Sequence, residues 1–187
     1  MPDKLIIIGG SAGSYKIVNR LLSNLPARFP YPLIVCMHRL RNARTGFVEA
    51  LSLSSKLKIV EPCDKDFIRG GTAYIAPANY HMMIEFGYRF SLSVSAPVNH
   101  SRPSIDITME TAADVFRERA IGIILSGANT DGSLGMAKIH DMKGLTIVQD
   151  PADSEIKTMP EAALDTLTPD FVLNADKIIN FIKNLSS

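Results

Sequence analysis

The sequence predicts an α/β fold: a doubly wound, mainly parallel sheet with helices on both faces and an antiparallel hairpin at one edge. Three observations predict it. Short, almost wholly apolar runs of Ile, Leu and Val recur along the chain and suit strands buried on both faces. Each is followed by a polar turn and then by apolar residues at helical spacing, which is the pattern of βαβ units. A central stretch instead alternates apolar and polar residues around Gly87-Tyr88, as a half-exposed antiparallel pair would.

The first unit is Lys4 to Ile8, running into Gly9-Gly10, a turn at Ser11 to Ser14, and a helix marked by Ile17, Val18, Leu21, Leu22 and Leu25 that Pro26 stops. The second is Pro32 to Met37, followed by a helix from Arg44 to Ser54 carrying Phe47, Val48, Leu51 and Leu53. Ala73 to Ala76 reads as a strand, and Met82 to Phe86 with Arg89 to Val94 as the hairpin. Asn99 to Ser104 is a proline-containing loop, and Ser104 is placed to cap a helix from Ile105 to Glu118. The βα pattern then returns: Ala120 to Leu125, the loop SGANTDG, a helix carrying Leu134, Met136, Ala137 and Ile139 that closes near Gly144, and a further strand from Leu145 to Val148. Ile178, Ile179, Ile182 and Leu185 form one stripe of a last helix, Ala175 to Leu185. No repeat, low-complexity tract or Gly/Ser linker interrupts the chain, so residues 1–187 are expected to form a single domain.

Composition narrows the function. Twenty Lys+Arg against nineteen Asp+Glu leave a net charge of +1, so no strong field draws in nucleic acid or an anionic membrane. With 46% hydrophobic and 21% charged residues the chain can bury a core and lacks the signature of disorder. Cys36 and Cys63 are too few for a disulfide framework and fit a reducing compartment. The start MPDKLIIIGG is too short in apolar residues for a signal h-region, and nowhere is there a membrane-length apolar run. A cytoplasmic protein with no membrane insertion is expected.

Three polar positions follow apolar strands within a few residues, where the ligands of open parallel sheets bind. Ser11 lies in Gly9-Gly10-Ser11-Ala12-Gly13, which fits G-x-S-x-G, the spacing that lets a serine sit on a sharp strand-to-helix turn. A helix N-cap serine beside turn glycines is the competing reading, and a phosphate-binding turn is a third, though GGSAGS lacks both the P-loop and the G-x-G-x-x-G register. His38 follows LIVCM and would stand beside Ser11 if the connection is an ordinary right-handed crossover. Histidine suits a general base because it titrates near neutral pH, while a hydrogen-bonded structural histidine is the alternative. Asp131 closes SGANTDG, where it can either orient the histidine or cap the helix that follows; Asp150 is the competing carboxylate. The order Ser, His, Asp departs from the Ser, Asp/Glu, His of α/β-hydrolases and disfavours their topology. His140 falls inside a helix, and His81 and His100 lie in or beside loops. No pair of histidines has the spacing H-x-x-x-H, so no metal site is expected.

The blocks IIIGGSAGS, VCMHRL, GTAYIAPANYHMMIE, RPSIDITMETAA, AIGIILSGANTDGSLGMAKIHDMKGLTIVQD and MPEAAL, in this order, resemble the catalytic domain of the chemotaxis protein-glutamate methylesterases, the CheB family. The resemblance runs from Leu5 to Leu164. It implies a parallel-sheet α/β fold without cofactor, and hydrolysis of γ-glutamyl methyl esters on the cytoplasmic region of chemoreceptors with release of methanol. Glutamine deamidation is a further activity of many members. The family's serine, histidine and aspartate fall on Ser11, His38 and Asp131, with oxyanion contacts from amides near Ala12 and around Ala128 and with Arg102 and His81 as further cleft residues. The implied partners are a methylated chemoreceptor and, beside it, a separate response-regulator or chemosensory protein; no nucleic acid is implied.

Three blocks depart from the family pattern. S-T-G-G becomes Ser11-Ala12-Gly13-Ser14, T-G-M-G becomes Ser126-Gly127-Ala128-Asn129, and G-M-P becomes Thr158-Met159-Pro160. These changes motivate an alternative, a catalytically weakened binding or scaffold protein in chemosensory signalling. Typical members carry an N-terminal receiver domain; with a first strand near Lys4, none is expected within residues 1–187.

Overall fold

A computed structural model describes residues 2–38 and 46–186. The chain opens with β1 (Leu5–Gly10), α1 (Tyr15–Asn24), β2 (Leu33–Met37), α2 (Phe47–Ser54) and the short β3 (Lys58–Val60). β4 (Thr72–Ile75) leads to a hairpin of β5 (His81–Glu85) and β6 (Arg89–Ser93), then α3 (Ile105–Phe116) and β7 (Ala120–Ile124). α4 (Ser133–Asp141), β8 (Leu145–Gln149), α5 (Thr158–Thr166), β9 (Phe171–Leu173) and α6 (Ala175–Asn184) complete it. The Arg44 start expected for the second helix lies outside the described residues.

The main sheet has the order β3-β4-β2-β1-β7-β8-β9, and every neighbouring pair is parallel. β1 is buried along its whole length, and its residues divide between two cores with the two-residue period of a strand. Ile6 and Ile8 pack under Val18, Leu21, Leu22 and the α6 stripe of Ile178, Ile179 and Ile182. Leu5 and Ile7 face Ile105, Met109 and Phe116 of α3 and Met136 and Ile139 of α4. A parallel strand buried on both faces explains why LIIIGG, LIVCM and AIGII are continuous apolar runs rather than alternating ones.

The expected antiparallel hairpin is present beside the parallel sheet. It forms a two-stranded sheet of its own instead of extending an edge of the main sheet. Met82, Ile84 and Phe90 turn one of its faces into the α3-side core, and the Ile84 N–H donates to Thr111 Oγ1 of α3 at 3.1 Å. Its apolar alternate residues thus meet a helix, so lateral pairing with the main sheet is not what holds it. Among the described residues, β3, β9 and α5 are elements that the apolar pattern does not announce; the two strands are three residues each, short of the length at which periodicity can be read.

From β1 the sheet extends through β2 and β4 to β3 on one side, and from β7 through β8 to β9 on the other. The reversal therefore lies between β1 and β7. Beyond the carboxyl ends of strands at such a switch point, loops diverge and leave a crevice.

Candidate active site

Gly10 pairs with Met37 and Gly9 with Ile124, so the residues that leave the carboxyl ends of β1, β2 and β7 emerge side by side. Ser11 is the first residue beyond β1, and His38 the first beyond β2. The His38 N–H donates to Gly10 O at 3.3 Å, and the Ser11 N–H to Ser126 O at 2.9 Å, tying all three strand ends together. The turn after Ser11 is sharp: Gly13 has φ +85°, and a Cβ there would fall 2.6 Å from Ser126 Oγ, so only glycine fits. The left-handed residue of the G-x-S-x-G turn is this glycine. Ser14 is the residue preceding α1; its hydroxyl donates to Ser11 O at 2.6 Å.

Asp131 is fully buried and its carboxylate has four partners. Oδ2 accepts His38 Nε2 at 2.7 Å and the Ile105 N–H at 2.7 Å; Oδ1 accepts the Asp106 N–H and Ser104 Oγ, each at 3.0 Å. A carboxylate taken out of water is tolerable when its lone pairs are used in this way. Burial pushes its titration up, but the His38 ring and the Ile105 and Asp106 amides outweigh it and hold the group below the usual carboxylate range. Asp131 does not cap the helix it precedes, whose first flanking residue is Gly132 at φ +99°. It sits instead on the first amides of α3, where the helix dipole also favours negative charge.

Asp106 makes the reciprocal contact. From the first turn of α3 its Oδ1 accepts the N–H groups of Gly132 and Gly135 at the start of α4, both at 2.8 Å. Each aspartate thus caps the other's helix, and α3 and α4 are locked together at the base of the site. Burial, with the Asp131 charge beside it, pushes Asp106 up to about 6 against the pull of those two amides.

His38 is nearly enclosed, with 15% of its side chain exposed. Its second nitrogen, Nδ1, lies 3.2 Å from Asn129 Nδ2. Among the described residues no hydrogen bond joins Ser11 Oγ to the ring. The N–H groups of Ala12 and Ala128, both on exposed residues, likewise donate to no described residue and stay free for a ligand oxygen. The second loop is held from below. Gly127 exchanges backbone bonds with Ile156 and Met159, and Ser126 Oγ reaches Ala12 O at 2.9 Å.

The other sequence candidates fall elsewhere. His81 is fully buried, its Nε2 on Ala96 O at 3.0 Å and its Nδ1 accepting the Ser104 N–H at 3.2 Å, so it reaches Asp131 only through Ser104. Arg102 binds Asn79 Oδ1 through Nε and Nη2, and the Val94 and Ser95 carbonyls through Nη1. It holds the loop before α3 against the hairpin. Asp150, the competing carboxylate, caps the short turn Pro151–Asp153. Asp106 and Asn129 carry no sequence signal as site residues, because the partners that bring them to the site, Gly132 and Gly135 for one and His38 for the other, lie 26, 29 and 91 residues away. Among the described residues no three His, Cys, Asp or Glu side chains are grouped to hold a metal ion, and no helix is long and apolar enough to cross a membrane.

Comparison with known proteins gives a consistent answer. A family model described as CheB methylesterase matches residues 6–182. A Leptospira interrogans protein assigned as a protein-glutamate methylesterase/protein-glutamine glutaminase is 40% identical over 178 residues, covering 95% of this chain and 92% of its own length. The Thermotoga maritima protein-glutamate methylesterase/protein-glutamine glutaminase is 30% identical over 178 residues, and there the match spans 94% of this chain but 52% of the relative. The crystal structure of the Thermotoga maritima CheB methylesterase catalytic domain superposes with a TM-score of 0.92 at 29% identity, over 97% of this chain and 98% of that one.

Proposed function

Since this chain belongs to the CheB methylesterase family, we propose that it hydrolyses γ-glutamyl methyl esters on the cytoplasmic regions of chemoreceptors, with Ser11 as nucleophile, His38 as general base and Asp131 as the group that orients it. Residues 1–187 act in this reading as one methylesterase unit working in the cytoplasm. The observation that carries it is the His38–Asp131 hydrogen bond of 2.7 Å, standing beside Ser11 at the switch point of the sheet.

Asp131 holds Nε2, so the nitrogen left to serve Ser11 is Nδ1. Ser11 Oγ attacks the γ-carbonyl and passes its proton to Nδ1, and Asp131 stabilises the imidazolium that results. The oxyanion is met by the free amides at Ala12 and Ala128. These are backbone donors, so loss of the family's threonine and methionine side chains at the two positions leaves them in place. Collapse of the intermediate breaks the bond to the methoxy group, which leaves as methanol with the His38 proton. Water, deprotonated in turn by Nδ1, attacks the acyl-serine and releases the glutamate. A glutamine side chain on the same route gives up ammonia and becomes glutamate, which supports deamidation as a second outcome. Serine, histidine, aspartate and two amides supply every proton and charge contact, so the reading needs no cofactor.

A methyl-labelled receptor fragment incubated with the protein releases labelled methanol in this reading, and Ser11→Ala abolishes the release. Equal release by both proteins overturns the mechanism. The scaffold reading has one observation in its favour: in the resting structure Asn129, not Ser11, is bonded to Nδ1 of His38. A fluorophosphonate probe separates the two, since an active serine is labelled rapidly and a scaffold serine is not.

A further inference from the structure

We infer that Asn129 is a positioning residue for the base: it fixes which nitrogen of His38 carries the proton and lowers the basicity of the nitrogen that serves Ser11. This rests on His38 acting as the base. The inference starts from three contacts of one side chain. Asn129 Oδ1 accepts the Asp131 N–H at 3.2 Å, and Nδ2 lies 3.2 Å from His38 Nδ1 and 3.3 Å from Ser101 Oγ.

The direction of each bond follows from what can donate. A backbone N–H only donates, so the amide oxygen of Asn129 must face Asp131 and its NH2 must face the ring. An amide NH2 only donates, so Nδ1 must present its lone pair. At the other end of the ring Nε2 meets the buried carboxylate of Asp131 and carries the proton. Two contacts from opposite sides therefore select the same neutral tautomer, the one competent to take a proton from serine.

The two contacts act oppositely on protonation. Asp131 favours the imidazolium. Asn129 disfavours it, because a proton on Nδ1 would be driven against the amide NH2 and would end that hydrogen bond. Among the described residues, the other groups near the ring add little to this balance. Ser101 and Ser11 are neutral, Asp106 stands behind Asp131 in the first turn of α3, and Arg102 is occupied by Asn79 and by the Val94 and Ser95 carbonyls. Asn129 thus opposes Asp131 from the other end of the ring, through a contact that requires the Nδ1 lone pair. The family pattern T-G-M-G has glycine at this position, so the device belongs to chains that carry the amide.

The test follows the imidazole directly, by nitrogen-15 NMR of histidine-labelled protein, with His38 assigned by its loss in His38→Gln. Wild type should show the tautomer protonated at Nε2. Asn129→Ser keeps a short acceptor for the Asp131 N–H but cannot reach the ring. Its His38 titration midpoint should move up by about half to one pH unit, and the acid limb of kcat/KM on a methyl ester should move with it. Asn129→Asp keeps the shape and the acceptor but exchanges the donor for a carboxylate, and should move the midpoint further in the same direction. A midpoint in folded Asn129→Ser that stays put or falls overturns the inference; if that variant does not fold, an unmoved midpoint in Asn129→Asp does so. The titration needs no turnover, so methanol release that survives Ser11→Ala would sink the esterase mechanism without touching this result.

Discussion

The two faces of the main sheet are built to different rules. The face under α1 and α6 is filled by Ile6, Ile8, Val18, Leu21, Leu22, Val35, Ile178 and Ile182, and it needs nothing but shape. The face under α3 and α4 also has a large apolar core, yet it takes in the buried histidine and carboxylates, His81, Asp106 and Asp131. Every one of these is tied to a helix start. His81 accepts the Ser104 N–H ahead of α3, Asp131 takes the first amides of α3, and Asp106 takes those of α4. The first face contributes stability alone. The second uses the same hydrogen bonds to join its helices and to hold His38, so stability and chemistry are coupled there and separable opposite.

Asp131→Ala should give the largest effect and the clearest expression of that coupling. It removes the partner of His38 Nε2 and leaves Ser104 Oγ and the Ile105 and Asp106 amides without their acceptor. Losing the orienting carboxylate of a triad costs about 10⁴-fold in kcat, and stranding several buried donors costs about 3 kcal/mol or more of stability. Methanol release and denaturant unfolding measure the two losses; full activity, or undiminished stability, would dissolve the comparison. Leu22→Ala on the opposite face should cost about 2–5 kcal/mol of stability as a buried leucine truncation, with kcat/KM per folded molecule unchanged. A fall in activity with fully folded protein would show that the faces are not separable.

The same contrast decides what could be read in the sequence. The apolar face is legible because its logic is local: LIIIGG, LIVCM and the Ile178-Ile179-Ile182 stripe state their burial in their own spacing. Ser11, His38 and Asp131 are legible as positions because each follows such a run. What they bond to is not. Asp106 looks like an ordinary acidic residue in a helix's first turn, and its partners Gly132 and Gly135 are 26 and 29 residues away. Asn129 reads as loop polarity until its neighbour 91 residues back, His38, is brought against it. The hairpin is legible in part for the same reason: its alternation shows that one face is covered, and only the fold shows that α3 covers it.

A smaller effect sharpens the comparison within the polar face, where the two aspartates are perturbed in opposite directions. Asp131 is held below the usual range, so its contribution to stability is present above its unfolded-state value and is lost on acidification through its folded value. Asp106 is pushed up to about 6, so the folded protein binds its proton more tightly than the unfolded chain does. That contribution is full below the ordinary carboxylate value of about 4 and is lost as pH rises through about 6. Asparagine at 106 imitates the protonated side chain and keeps an oxygen for Gly132 and Gly135. Wild type should therefore lose stability relative to Asp106→Asn as pH climbs between these limits, and the difference should level off near neutrality. Urea midpoints of the two proteins across that range measure it. A constant difference would mean that Asp106 is ionised throughout, and that the two helix starts tolerate both charges at once.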